Sequence, residues 1–221
     1  MWQWIFFLIF YEVFFDALVF RKTSFYNKAH SVVMNDEEKN MGMRILAAIL
    51  FLGFSGIVMF SIYSFSSENG FDSQMRSEMV TEKIKEEVKT KLETSEKGLK
   101  LSEKIKYKVI MYSPYGSDWN ANVRKLAHFS IYFCLAMMVY ITLAILGVNK
   151  TLRFILTIGF CFCFAFADEY HQAFSGGRTS SMTDVYIDTF GALVSTCIWT
   201  VLSWVLNGIG YVIHTINKAY E

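Results

Sequence analysis

The residues able to do chemistry fall in two short stretches, 122–132 and 168–191. The first holds Arg124, Lys125 and His128. The second holds Asp168, Glu169, His171, Gln172, Arg178, Asp184 and Asp188. Each stretch lies where a hydrophobic run begins or ends, which puts these groups at membrane depth or just above it. Charge there is costly unless it has partners, water or a task. Four readings follow from the residue types. Acids and bases could pair and lock helices together. Arg124, Lys125 and Arg178 could grip a phosphate or carboxylate. His128 or Glu169 could act as acid or base, His128 being the group that changes charge near neutral pH. A divalent metal could sit between His128 or His171 and Asp168, Glu169 or Asp184, although no standard metal-ligand spacing is present. The reading adopted needs neither metal nor cofactor.

Helical spacing sorts these residues into faces. Arg124, His128 and Tyr132 share one stripe. Asp168, His171 and Gln172 share a second, with Glu169 beside it, and Asp184, Asp188 and Gly191 form a third. If the three helices meet, acids from two of them oppose bases from the other and from the Gly176-Gly177-Arg178 loop. Asp168 and Arg124 are the best opposed pair. Depth follows from length. The apolar run 154–167 has 14 residues, about 21 Å as a helix, against a hydrocarbon core of about 30 Å. The helix must therefore run on through Asp168, Glu169 and Gln172, carrying them below the surface.

The elements that hold these faces are read from hydropathy. Of 221 residues, 53% are hydrophobic and 17% aromatic, above the roughly 45–50% apolar share of soluble domains. The expected fold is all-α: a polytopic integral membrane helix bundle of about five transmembrane helices with an extracytoplasmic amphipathic helical loop. Residues 1–20 are read as a first span, or as an interfacial helix, because Glu12 and Asp16 share a face. A polar cytoplasmic loop completes the segment 1–44. Further spans are expected at 45–65, 123–147, 152–174 and 185–206, with 207–221 as a cytoplasmic tail. Between them, 71–121 carries Val80, Ile84, Val88 and Leu92 at helical spacing among Lys and Glu. This marks an amphipathic helix broken near Gly98 and resumed through Leu101, Ile105 and Val109. Short segments rich in Lys and Arg (21–44, 148–153 and the tail) fall on one side of this arrangement, which makes that side cytoplasmic and turns the polar cluster outward. The net charge of +1 suggests no nucleic-acid partner. Cys134, Cys161, Cys163 and Cys197 all lie in apolar runs and read as packing residues.

Arg124-Lys125-Leu-Ala-His128, then Asp168-Glu169-Tyr-His171-Gln172, Gly177-Arg178, Asp184 and a closing Gly191 resemble the signature of the VanZ-like family. The Ser64-Phe-Ser66-Ser67 exit of the second span also fits, and the resemblance covers about residues 45–206. One position departs: the family usually has asparagine where Asp188 stands here, which adds an acid to the cluster. The resemblance implies a bacterial membrane protein, in a family whose founding member is associated with low-level resistance to teicoplanin, a lipid-tailed glycopeptide. Partners implied are a membrane lipid or lipid-linked cell-wall precursor, with a teicoplanin-like drug affected indirectly. Binding or modifying an envelope component, enzymic action on a lipid head group, and a scaffold held by ion pairs remain the alternatives.

Overall fold

A computed structural model describes residues 34–92, 95–113, 115–175, 177 and 180–220. These form six helices: α1 (Met34–Ser66), α2 (Gly70–Leu92), α3 (Glu96–Tyr112), α4 (Trp119–Ile145), α5 (Lys150–Gln172) and α6 (Met182–Tyr220). Four are long and apolar enough to cross a membrane: Met41–Ser66, Trp119–Ile145, Lys150–Gln172 and Met182–Ile209. The architecture is the expected all-helical membrane bundle. The expected span at 1–20 lies outside the described residues.

Helix α4 is the centre of the bundle and packs against α1, α5, α6 and α2. Its buried stripe of Tyr132, Leu135, Ala136, Val139 and Leu143 meets Met59 and Ile62 of α1, Cys161, Phe164 and Ala165 of α5, and Val185 and Ala192 of α6. Around this core the polarity is reversed relative to a water-soluble protein. Leu46, Ile57 and Phe60 on α1, and Phe190, Val201 and Trp204 on α6, face outward. A hydrocarbon solvent accounts for such a surface, since those side chains need no cover there.

The closest helix pairing is α4 with α6. A Cβ at Gly191 would collide with the Phe129 carbonyl oxygen, so the missing side chain is what lets the two backbones approach. Both helices start at the same end of the bundle, so they run parallel there. Lys125 meets Asp184, His128 meets Asp188, and Phe129 meets Gly191 in order down the interface.

Helix ends follow recognisable chemistry. Asp118 caps α4 by accepting from the Ala121 N–H, and Asn149 caps α5 by accepting from the Leu152 N–H. Arg44 donates to the Ile145 carbonyl at the opposite end of α4 (3.0 Å), where the helix presents unpaired acceptors.

Three boundaries differ from expectation. The break in the amphipathic segment lies upstream of Gly98, because Ser95 caps α3 and accepts from the Gly98 N–H (3.1 Å). Gly98 therefore sits in the first helical turn. Helix α6 continues past the expected end of its span at 206 to Tyr220; no proline interrupts the segment. Helix α1 starts at Met34 rather than 45. The polar residues there satisfy helical hydrogen bonding as well as apolar ones, and hydropathy reports the membrane boundary rather than the helix boundary.

Candidate functional site

The C-terminal ends of α1 and α5 and the N-terminal ends of α4 and α6 meet at one end of the bundle, and α2 packs over it against α4. Short-range contacts bind these ends. The Ser175 hydroxyl donates to the Ser66 carbonyl (3.0 Å). A Cβ at Gly70 would collide with the Gly177 carbonyl oxygen, and Gly177 adopts φ +75°, a conformation that favours glycine. His171 packs its ring on Tyr63, centroids 4.9 Å apart, and places Nδ1 3.5 Å from the Ser66 hydroxyl. His171 thus serves the α1–α5 junction. Among the described residues no group of three or more His, Cys, Asp or Glu side chains is arranged to hold a metal.

The four acids of the cluster, and Gln172 with them, are packed inside the protein. Asp168, Glu169, Gln172, Asp184 and Asp188 are all buried, although each sits at the end of a span. Each has its own environment. Gln172 donates from Nε2 to Asp168 Oδ2 (3.0 Å), the i, i+4 pair that helical spacing predicts. Glu169 accepts from the Ser181 N–H through Oε2 (2.8 Å) and ties α5 to the start of α6, while its Oε1 is buried with no partner among the described residues. Asp184 forms an ion pair with Lys125. The Lys125 ammonium also lies 5.6 Å from the Tyr115 ring centroid. Tyr115 lies outside the spans. Burial holds its hydroxyl proton more tightly than usual, raising its pKa, and the nearby Asp184 carboxylate adds to this.

The expected Arg124–Asp168 ion pair does not form. Among the described residues the basic partners of the two α6 acids, Asp184 and Asp188, are Lys125 and His128, one and four positions on from Arg124. A 100° step per residue turns Lys125 toward α6, while Arg124 stands with His128 and Asp168 on the wall of a cavity between α1, α2, α4 and α5. Among the described residues no carboxylate pairs with Arg124.

His128 and Asp188 form the second contact between α4 and α6. His128 Nδ1 lies 3.4 Å from Asp188 Oδ1, within ion-pair range but too poorly aligned for a closed hydrogen bond. Asp188 is fully buried, and the Tyr132 hydroxyl is buried without a hydrogen-bond partner among the described residues.

The cavity has a volume of about 230 Å³. Arg124, His128, Asp168 and Gln172, all singled out from sequence, stand on its wall. So do Ser66 at the end of α1, Glu68 in the turn that follows it, and Ser73, Arg76 and Ser77 of α2, a helix whose sequence reads as an amphipathic surface segment. Nothing in the charge pattern of α2 distinguishes Arg76 from the lysines that follow it, so only packing could find it. The remaining wall is apolar: Ile62, Phe65, Val80, Val123, Ala127 and Ile131. Glu169, Lys125, Asp184 and Asp188 lie outside this wall, and Arg178 lies outside the described residues.

Fold and site together define a helical membrane protein with a buried polar cluster and an amphiphilic cavity at one end of its bundle. A model of the VanZ/LLP1 family matches residues 45–203, and the chain belongs to that family. Neither the curated proteins nor the solved structures contain a significant match.

Proposed function

We propose that this chain is a multi-pass protein of the bacterial inner membrane whose cavity faces outward and binds the anionic head group of a membrane lipid or lipid-linked cell-wall precursor. Through that component it lowers the exposure of the cell to teicoplanin-like lipoglycopeptides. The observation that carries the reading is Arg124, a guanidinium on the wall of a mostly apolar cavity that has no carboxylate partner among the described residues. A half-buried cation on an apolar wall favours an anion, and a planar fork suits phosphate or carboxylate. The bias of short basic segments supports the outward orientation. The resistance role is what the family resemblance supports. In a glycopeptide-susceptible host, wild type should raise the inhibitory concentration of teicoplanin, and Arg124→Gln and His128→Gln should abolish the protection at unchanged expression. Equal protection by both variants would rule out the cavity as the working site. If wild type itself gives no protection, the resistance role falls.

One observation favours an enzyme instead. The buried Asp188 beside His128 could orient and charge-stabilise an imidazole that faces the cavity, as a general base requires, and such contacts are often loose before substrate binds. In that reading expression should change the composition of envelope lipids, and His128→Gln should restore it. Glu169, with one buried oxygen that has no partner among the described residues, is the other candidate acid or base.

A further inference from the structure

Arg124 is not the cavity's single guanidinium. Arg76, from the second turn of α2, stands on the same wall and is paired with Glu68, which also lines the cavity. The Arg76 side chain is 47% exposed and that of Glu68 22% exposed, so the pair sits at the mouth rather than in the interior. The Arg76 guanidinium also lies 5.2 Å from the Phe65 ring centroid, a contact that holds its plane against the apolar wall. Two guanidinium groups from separate helices thus share one small cavity, one paired with a carboxylate and the other with none among the described residues. An exposed ion pair of this kind is weakly held, whereas a phosphate that accepts from two guanidinium forks gains several charge-assisted bonds at once.

We propose that Glu68–Arg76 is a displaceable latch and that the cavity takes a single-chain anionic amphiphile. The anionic head replaces Glu68 on Arg76 and bridges it to Arg124, while the tail lies along Phe65, Val80 and Ile131. Glu68 is then a competitor for the ligand. It keeps Arg76 neutralised when no anion is bound and sets a threshold that weakly acidic or neutral lipids do not meet. The inference rests on the anionic-head-group reading given above and adds to it the clamp partner, the tail and the gate.

The sign of the Glu68 effect separates a latch from a structural ion pair. Full-length protein in phosphatidylcholine nanodiscs would be titrated with radiolabelled dodecyl phosphate, with dodecanol and inorganic phosphate as the other probes and protein-free nanodiscs as background. Dodecyl phosphate should bind at least tenfold tighter than either other probe. Arg76→Gln should weaken it about tenfold, and Arg76→Lys, which keeps the charge but loses the fork, should fall between. Glu68→Gln should tighten it several-fold. If Glu68→Gln weakens binding together with Arg76→Gln, the pair is structural and the latch is wrong. If neither change alters wild-type binding, Arg76 is no part of the clamp, though the Arg124 site stands. Binding of dodecanol as tight as that of dodecyl phosphate would exclude an anionic head, and inorganic phosphate binding equally would exclude the tail. Absence of dodecyl phosphate binding to wild type would remove both this inference and the head-group reading beneath it.

Discussion

At the scale of single residues, the polar cluster divides into groups that hold the fold and groups that face the cavity. Lys125 and Asp184 belong to the first set. Their side chains are each 11% exposed, and loss of either leaves the other charge buried and alone. Truncating one partner of such a pair typically costs about 3–5 kcal/mol. Lys125→Ala and Asp184→Ala should each lower unfolding stability in detergent on that scale, and the double substitution should lose clearly less than their sum. Additive losses would mean that the pair contributes nothing as a pair. Arg124, one residue earlier, belongs to the second set. The change Arg124→Gln leaves no carboxylate stranded, so it should act on binding and leave the melting temperature nearly unmoved. Adjacent residues in one motif thus have separable roles, and a signature alone would have treated them alike.

At the scale of elements, the site depends on how closely two parallel helices approach. Lys125–Asp184 and His128–Asp188 meet because α4 and α6 touch backbone to backbone at Gly191 and Phe129. A methyl group there must push the helices apart, and overpacking typically costs about 1–3 kcal/mol. Gly191→Ala should therefore lower the melting temperature and loosen both polar pairs. Gly159→Ala on α5 is the control, since a Cβ there meets nothing within 4 Å and alanine is the better helix former. Equal effects of the two changes in thermal unfolding would show that the α4–α6 approach is not tight. Helix α2 is positioned by a similar device, the Gly70–Gly177 contact, which seats its first turns over the cavity and so delivers Arg76.

At the scale of the whole molecule, every singled-out residue that the structure describes lies at one end of the bundle, with the α2–α3 hairpin over it. Ser95, at the turn of that hairpin, and Ser180, before α6, must therefore share a side of the membrane, while Asn149, between α4 and α5, must lie on the other. In a background with all four cysteines replaced, Ser95→Cys and Ser180→Cys should react with a membrane-impermeant thiol reagent on spheroplasts. Asn149→Cys should react only after lysis. Labelling of the reverse set would invert the orientation and turn the cavity toward the cytoplasm. Labelling of Ser95→Cys and Ser180→Cys from opposite sides would contradict the bundle itself.

The sequence by itself determined the class of fold and the identity of most polar residues at the site. Long apolar runs dictate spanning helices because lipid leaves the backbone no other partner. The shortness of the 154–167 run forces α5 to continue through Asp168 and Gln172, which places those groups inside. The i, i+4 spacing of Asp168 and Gln172 was legible for the same reason: it depends on one helix alone. What spans different helices was not legible. Which base meets which acid turns on a rotation of α4 by a single residue step, and periodicity read on separate helices does not fix their mutual rotation. Lys125, one step on from Arg124, therefore meets Asp184 of α6, while Arg124 stands on the cavity wall. The contribution of Arg76 and Glu68 was hidden for a further reason. A charge on an amphipathic helix has the same pattern whether it meets water or a cavity, and only the packing of α2 over α4 decides between them.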